Sequence, residues 1–375
     1  MGAWLYYDAG QYARAAELLG AYARAHPTAP RAEDARWFEA WSLHRLGRRA
    51  EARRALSKLA RGALLPAALY WEARLGEGDP DRDLYRRVLR EAQPGSWYAL
   101  LAANQLSALG EAGAPLATVA SPPIPDGPGT ADPSDPLARA ARLLGAGLRA
   151  HALAELRALA ATRGVRARAE LVAQLAESAG DAELPFRMAR DHLPPSRRAL
   201  RWLFPLAFPE ILPASAREAG CDPELYLAIM RRESAFRPDA RSGAGAIGLV
   251  QLIPPTAERL ATVVGVPPSL ARRLELPEVS IALGATYLAL LGERFGEPAV
   301  VLAAYNAGPE AASWARARAG MALDEWVEDI PFRETRRYVK NVMADAVVYR
   351  ALWRDGALAI DGGRTVPAPR AGVGF

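Results

Sequence analysis

Glu233 is the residue of this chain best placed to move a proton. It stands within Asp222 to Leu260, DPELYLAIMRRESAFRPDARSGAGAIGLVQLIPPTAERL. Asp222-Pro223-Glu224 predicts a helix start, with a capping side chain, a proline where no N–H is needed and an acid in the first turn. Residues four apart on a helix share a face, so Leu225, Ile229 and Glu233 fall in one arc with Tyr226 beside them. That arc carries a carboxylate inward. The helical pattern dissolves at Pro238, which puts Glu233 near the negative end of the helix dipole, where the ionised form is disfavoured. Partial burial would act the same way and raise the pKa above the usual value of about 4.3. A general acid working near neutral pH needs that shift. The competing reading of the residue is a solvated helix-end glutamate, or one half of an ion pair with Arg231, Arg232 or Arg237.

After this helix, Ser242-Gly243-Ala244-Gly245-Ala246-Ile247-Gly248-Leu249-Val250-Gln251 offers small residues, so backbone can approach a ligand closely. The run fits G-x-G-x-x-G. A dinucleotide site would need a strand before it, a helix after it and an acid about 20 residues on. Here a helix precedes and a proline-broken turn follows, which excludes that site. Gln251 ends the run with an amide able both to donate to and to accept from sugar hydroxyl or acetamido groups.

Glu233-Ser234, Gly248-Leu249-Val250-Gln251 and Ala304-Tyr305-Asn306 follow one another in that order, and Ile330-Pro331-Phe332-Arg333-Glu334-Thr335-Arg336-Arg337-Tyr338-Val339 lies downstream. Together these motifs resemble the soluble lytic transglycosylases of bacterial cell walls, tightly over residues 195–355 and more loosely over the helical N-terminal half. The resemblance implies an all-α protein, mostly, in which an αα-hairpin solenoid of tetratricopeptide type precedes a lysozyme-like catalytic domain. It implies a substrate, peptidoglycan glycan strands, and a reaction that leaves 1,6-anhydro-N-acetylmuramic acid ends. It implies no cofactor and a periplasmic location. Glu233 then serves as acid and afterwards as base. Ser242 and Gln251 hydrogen-bond sugar or acetamido groups, Tyr305 orients or polarises the acid, Asn306 positions the cleft wall, and Glu334 and Tyr338 complete the substrate-binding set. Plainer roles remain open for some of these: a core tyrosine for Tyr305, a turn residue for Gln251, a salt bridge to Arg336 or Arg337 for Glu334. The chain departs from the family pattern at Val250, Pro255 and Ser280, where Met, Gly or Ala, and Asn are usual, and none of these removes a proton-transfer group.

A hydrolytic glycosidase would pair Glu233 with a second carboxylate, about 5–5.5 Å away for retention or about 6.5–9.5 Å for inversion. No acid in the central motif clearly supplies it; Asp239 reads as a loop residue. Two other functions remain in play: a hydrolytic lysozyme resembling the goose type, and a repeat scaffold whose lysozyme-like domain only binds glycan.

The elements that must position these residues are helical. Of 375 residues, 51% are hydrophobic, and Ala, Leu and Arg dominate while strand-like Val, Ile and Thr runs are scarce. Gly10 to Leu19 and Gly47 to Leu56 are alike 37 residues apart, near the ~34-residue period of tetratricopeptide-type repeats. A third unit is marked by Ala67, Leu69, Tyr70, Trp71 and Ala73. These observations divide the chain into a solenoid over 1–109, a Pro/Gly-rich linker or loop over 110–136, further helical hairpins over 137–195, the catalytic domain over 196–355 and a flexible tail over 356–375. Within the catalytic domain the pattern predicts helices over Pro277 to Phe295, from Pro298 to a left-handed cap at Gly308, and from about Glu334 to Trp353. Leu203 to Pro209 reads as an apolar, proline-broken connector that packs two domains together.

The net charge of +5 comes from arginines interspersed with acids, without the basic run and interleaved aromatics of a nucleic-acid face. Cys221 is the one cysteine, so no internal disulfide forms. His26, His44, His151 and His192 are far apart and lack ligand spacing, which predicts no metal site. No apolar stretch approaches the ~20 residues of a bilayer span. The opening, Met1 to Tyr7, carries no signal-peptide pattern and reads as the inside of a helical repeat whose beginning lies further upstream. The solenoid's concave surface is expected to meet glycan strands, with cell-wall synthesis or division proteins as further partners.

Overall fold

One turn recurs along the chain and sets the rhythm of its helices. At Gly10 and Gly47 φ is 71° and 74°, left-handed backbone that glycine adopts without a Cβ penalty. Gly10 N–H reaches the Tyr7 carbonyl and Gln11 N–H that of Tyr6, at 2.9 and 2.8 Å; Gly47 reaches His44 and Arg48 reaches Leu43, at 2.8 and 2.9 Å. This is the Schellman arrangement, which satisfies the last carbonyls of one helix and aims the next. Gly110, Gly147 and Gly180 repeat both bonds, at positions the sequence pattern does not single out.

The computed structural model describes residues 2–59, 61–78, 80–111, 116, 132, 134–308 and 310–370. Among them are 21 α-helices, a 3-10 turn at Val165–Arg168 and no strand, with only the isolated bridges of Ile247 to Arg241 and to Leu252. The fold is all-α. Two compact units divide it: Met1–Leu116 with Ala322–Arg336 and Ala357–Arg364, and Ala117–Met321 with Arg337–Gly356 and Thr365–Phe375.

The first unit contains α1 (Gly2–Asp8), α2 (Tyr12–Ala25), α3 (Ala32–Arg45), α4 (Arg49–Leu56), α5 (Leu65–Arg74), α6 (Arg82–Glu91) and α7 (Trp97–Ala108). Each packs chiefly on its neighbour in sequence, as in a solenoid. Trp41 stacks on Trp37 and meets Trp71 edge-on at 4.8 Å between centroids, so these aromatics are spent on packing. The unit also holds a segment from far down the chain. Within α20 (Leu323–Glu328) and its end, Asp324 accepts from the Tyr70 hydroxyl at 2.7 Å and Arg74 Nε at 3.0 Å, Glu328 from Tyr98, and Asp329 from Trp41 Nε1 at 2.9 Å. Three buried carboxylates with directional partners fix this segment against α3, α5 and α7. Residues 322–336, expected inside a continuous domain over 196–355, therefore pack with the first unit.

The second unit begins with α8 (Pro136–Gly145), α9 (Arg149–Ala160), α10 (Ala169–Ser178), α11 (Glu183–His192) and α12 (Arg197–Leu203), joined by a core that includes Leu156, Val172, Met188 and Trp202. It continues with α13 (Leu212–Ala219), α14 (Pro223–Glu233), α15 (Pro254–Val264), α16 (Pro268–Ala271), α17 (Pro277–Phe295), α18 (Pro298–Ala307) and α19 (Glu310–Ala317). Helix α21 (Arg333–Trp353) starts in the first unit and runs on in the second. Leu225 through Met230 of α14 are all buried, more than one arc, so this stretch of α14 is enclosed on every side.

Three expectations need correction or lie beyond view. Gly308 ends α18 at φ 79° and ψ −155°, a region open to glycine rather than the left-handed helical one. Residues 357–370 are not a loose tail: Ile360 and Val366 are buried, and Ile360 N–H bonds Leu100 O while Arg364 O and Gly362 O accept from Leu323 and Asp324. Backbone pairing, which leaves no periodic signature in a Gly/Pro-rich stretch, holds it. The linker expected over 110–136 falls largely outside the described residues, as do residues 371–375.

Candidate active site

Asp222 caps α14 as its sequence predicts, accepting from the N–H groups of Glu224 and Leu225 at 3.0 and 3.1 Å. The helix ends at Glu233, which is half-buried. Directly afterwards Ala235 and Phe236 both take left-handed φ, 52° and 65°, at a cost of roughly 1–2 kcal/mol per residue. Phe236 holds the turn: it is buried and meets the Phe186 ring edge-on at 5.6 Å. Ser234 assists from the cap, its N–H and Oγ both directed at Met230 O, at 3.1 and 3.2 Å. Strain of this kind persists where surrounding packing over-determines it, commonly at functional sites. Here it takes the chain away from the helix at once, with Glu233 as the last helical residue.

The small-residue run folds back beside it. Ser242 N–H donates to Ala246 O at 3.0 Å, and Ser242 Oγ accepts from Ala246 N–H at 3.0 Å. Gly248, at φ 85°, is irreplaceable in this turn, since a Cβ there would lie 2.2 Å from Leu274 O. Gln251 is itself left-handed, φ 51°, and its Nε2 donates to Ala240 O at 3.1 Å and Gly248 O at 2.9 Å. The amide that the sequence offers to a sugar is thus half committed to its own loop, with the oxygen left over.

Tyr305 and Tyr338 come from two other helices. Tyr305, near the end of α18, donates to Val250 O at 2.7 Å and leans against Tyr287 of α17, with ring centroids 5.1 Å apart. Burial, and then the charge of Glu233, hold its phenol well above the usual value. The same two causes in the same order act on Tyr338 of α21. The Tyr338 hydroxyl neighbours Glu233 without the tight geometry of an ordinary hydrogen bond, and it is buried with no other partner among the described residues. Glu233, Tyr305 and Tyr338 therefore form one group, tied to the Gly248–Gln251 loop through Val250 O.

The remaining expected residues are spread around this group. Asn306 adjoins Tyr305 and is half-buried, and Ser242 is exposed on the loop. Glu334 is exposed in the first turn of α21, in the part belonging to the first unit. Gly284 and Asp345 were not singled out in advance, and Tyr226 was placed only beside the arc of Glu233. Gly284 of α17 allows close approach, because a Cβ would come within 2.4 Å of the Tyr226 hydroxyl and 2.6 Å of Val250 Cγ2. Tyr226 donates to Ile281 O at 2.8 Å and joins α14 to α17. Asp345, buried on α21, binds Arg231 NH1 at 2.7 Å and Arg232 Nε and NH2 at 2.5 and 2.8 Å. The sequence carries one clue to Asp345: it lies seven residues beyond Tyr338, two turns along the same helix face. Two of the arginines that could have paired with Glu233 are thereby engaged elsewhere. Among the described residues no group of three or more His, Cys, Asp or Glu side chains could hold a metal ion.

The fold and this group of residues define an all-helical protein with one carboxyl and two phenols gathered at a helix end. Residues 211–326 match the Transglycosylase SLT domain and residues 329–355 the Soluble lytic transglycosylase helical domain. Over these stretches the chain is similar to the soluble lytic murein transglycosylases. It is 38% identical over 151 residues to the soluble lytic murein transglycosylase of Salmonella typhimurium, covering 39% of this chain and 23% of that protein. Its structure resembles an inactive mutant of lytic transglycosylase Slt from Pseudomonas aeruginosa, with a TM-score of 0.71 and 29% identity over 94% of this chain and 57% of the other. It also resembles the 70 kDa soluble lytic transglycosylase of Escherichia coli, with a TM-score of 0.65 and 25% identity over 96% of this chain and 63% of the other. The chain thus spans less than two thirds of each of these relatives. No helix among the described residues is long and apolar enough to cross a membrane.

Proposed function

We propose that the protein is a peptidoglycan lytic transglycosylase that cleaves the β-1,4 bond between N-acetylmuramic acid and N-acetylglucosamine without water. Glu233 donates its proton to the glycosidic oxygen as the bond to muramoyl C1 breaks. The resulting carboxylate takes the proton of the muramoyl C6 hydroxyl, whose oxygen attacks C1 and closes the 1,6-anhydro ring. The nucleophile is part of the substrate, so its attack is intramolecular and needs no second enzyme carboxylate. The observation that carries this reading is the grouping of Glu233 with Tyr305 and Tyr338 at the strained end of α14. Asp239, the acid that follows in sequence, is exposed, and Asp345 is occupied by two arginines.

Around the acid, Ser242 has its O–H and Gln251 its amide oxygen available for sugar hydroxyl and acetamido groups. Asn306 forms the cleft wall and Tyr338 steadies the acid. Glu334 contacts substrate or holds Arg336 or Arg337. The substrate places the protein in the periplasm and gives the solenoid a role in holding glycan strands or cell-wall synthesis and division proteins.

Digestion of purified sacculi by the protein and by Glu233→Gln, followed by mass spectrometry of the released muropeptides, tests the reading. Products one water lighter than reducing ends, released only by the unmodified protein, are expected. Hydrated ends would establish a hydrolytic lysozyme, and binding to sacculi without release would establish a glycan-binding scaffold.

A further inference from the structure

The two residues before Glu233 are both arginines, and a guanidinium near a general acid stabilises its ionised, inactive form. The structure shows what becomes of these charges. Arg231 is threaded between the Phe186 and Phe204 rings, its guanidinium carbon 5.4 and 4.3 Å from their centroids. Its Nε donates to Leu203 O at 2.8 Å, and its NH1 reaches Asp345 at 2.7 Å. Arg232 is more exposed, with a side chain 34% accessible, and grips both oxygens of the same carboxylate. Asp345 is 4% exposed. One buried carboxylate thus holds two guanidiniums from adjacent positions of the catalytic helix and offsets one of their two charges.

The helix that supplies Asp345 also supplies Tyr338, two turns earlier on the same face. One rigid element therefore contacts the acid and gathers the cations beside it. On the premise that Glu233 is the acid of the proposed reaction, we propose that Asp345 is a positioning residue for catalysis, fixing Arg231 and Arg232 in a single ion cluster so that neither positive charge settles on the Glu233 carboxyl.

The other groups around Glu233 do not substitute for this. Tyr305 of α18, Tyr287 of α17 and Tyr338 of α21 are phenols held protonated by burial. Arg350 of α21 and Arg354 just past its end are bound to Asp222 and Glu224 at the opposite end of α14. Arg237 approaches Ser234 O at 3.4 Å, and Lys340 of α21 has an interaction of its own.

The test is the pH dependence of kcat/KM for muropeptide release. Loss of activity on the alkaline side reports ionisation of the free enzyme's acid. Asp345→Asn uncovers a positive charge, stabilises the Glu233 carboxylate and should shift that limb to lower pH by about half a unit to one unit. Arg232→Gln removes a positive charge and should shift it upward, and Arg232→Gln with Asp345→Asn should restore it. Circular dichroism and thermal melts establish that each variant is folded. A folded Asp345→Asn protein with an unmoved limb overturns the proposal. If Asp345→Asn does not fold, Arg232→Gln alone decides, and an unmoved limb there overturns it equally. Titration of the Glu233 carboxyl by carbon-13 NMR in the same proteins reads the effect without turnover. If no variant nor the unmodified protein releases muropeptides, the proposed reaction fails, while the titration still decides the role of Asp345.

Discussion

At the scale of residues, three side chains divide the work that the motifs left undivided. Glu233→Gln keeps the shape and removes the proton, so release of muropeptides should fall by about 100- to 10,000-fold with the melting temperature nearly unchanged. The two tyrosines should separate in stability. Tyr305→Phe removes the bond to Val250 O and leaves a carbonyl unsatisfied, costing about 1–2 kcal/mol, together with activity, since Val250 precedes Gln251. Tyr338→Phe removes a buried hydroxyl that lacks an ordinary partner; stability should hold or rise by up to about 1 kcal/mol, while kcat falls because the acid loses its neighbour. Chemical denaturation of both variants beside their kcat values checks the contrast. Equal destabilisation would show that Tyr338 is held by a bond of normal strength. Glu233 was legible because its cap, its helical spacing and its helix end are all local. The commitment of Gln251 Nε2 to Ala240 and Gly248 was not, since no periodicity encodes a side chain turning back on its own loop.

Among elements, the Gly248–Gln251 loop and α17 depend on spaces that only hydrogen atoms fill. Gly248→Ala would require left-handed φ from alanine and bring a Cβ to 2.2 Å from Leu274 O, a backbone atom that cannot swing aside. The cost should be about 2–4 kcal/mol, seen as a melting temperature lower by roughly 6–12 °C, with activity lost because Val250 and Gln251 move. An unchanged melt would mean that the loop can flip its peptide. Helix ends fared well in the sequence: α14, α17 and α18 begin at Pro223, Pro277 and Pro298, where proline pre-sets φ and sacrifices no bond. The recurrence at Gly147 and Gly180 was harder to see, because their neighbours differ while the backbone turn is the same.

For the whole molecule, the buried phenols foretell an alkaline limit. Tyr70 and Tyr98 in the first unit, and Tyr226, Tyr305, Tyr338 and Tyr349 in the second, are all held well above the usual phenol range, chiefly by burial. The native state keeps their protons more tightly than the unfolded chain does. Their contribution is therefore complete below the unfolded value of about 10 and is lost as pH rises above it toward the native values. Thermal stability should be flat through neutral pH and fall steeply beyond pH ~10, together with the rise of tyrosinate absorbance. Tyrosinate appearing well before unfolding would contradict this. The sequence by itself determined the helical class, the helix starts, the place of Glu233 and the order of its partner motifs, because caps, periodicity and proline act between residues a few positions apart. Only the tertiary structure decided that Asp345 claims the two arginines, that Tyr305 anchors Val250, and that residues 322–336 and 357–364 join the first unit. Those outcomes depend on buried charges and backbone groups finding partners far apart in the chain, 55 residues for Tyr305 and Val250 and 114 for Arg231 and Asp345, and chain order does not record which partner lies within reach.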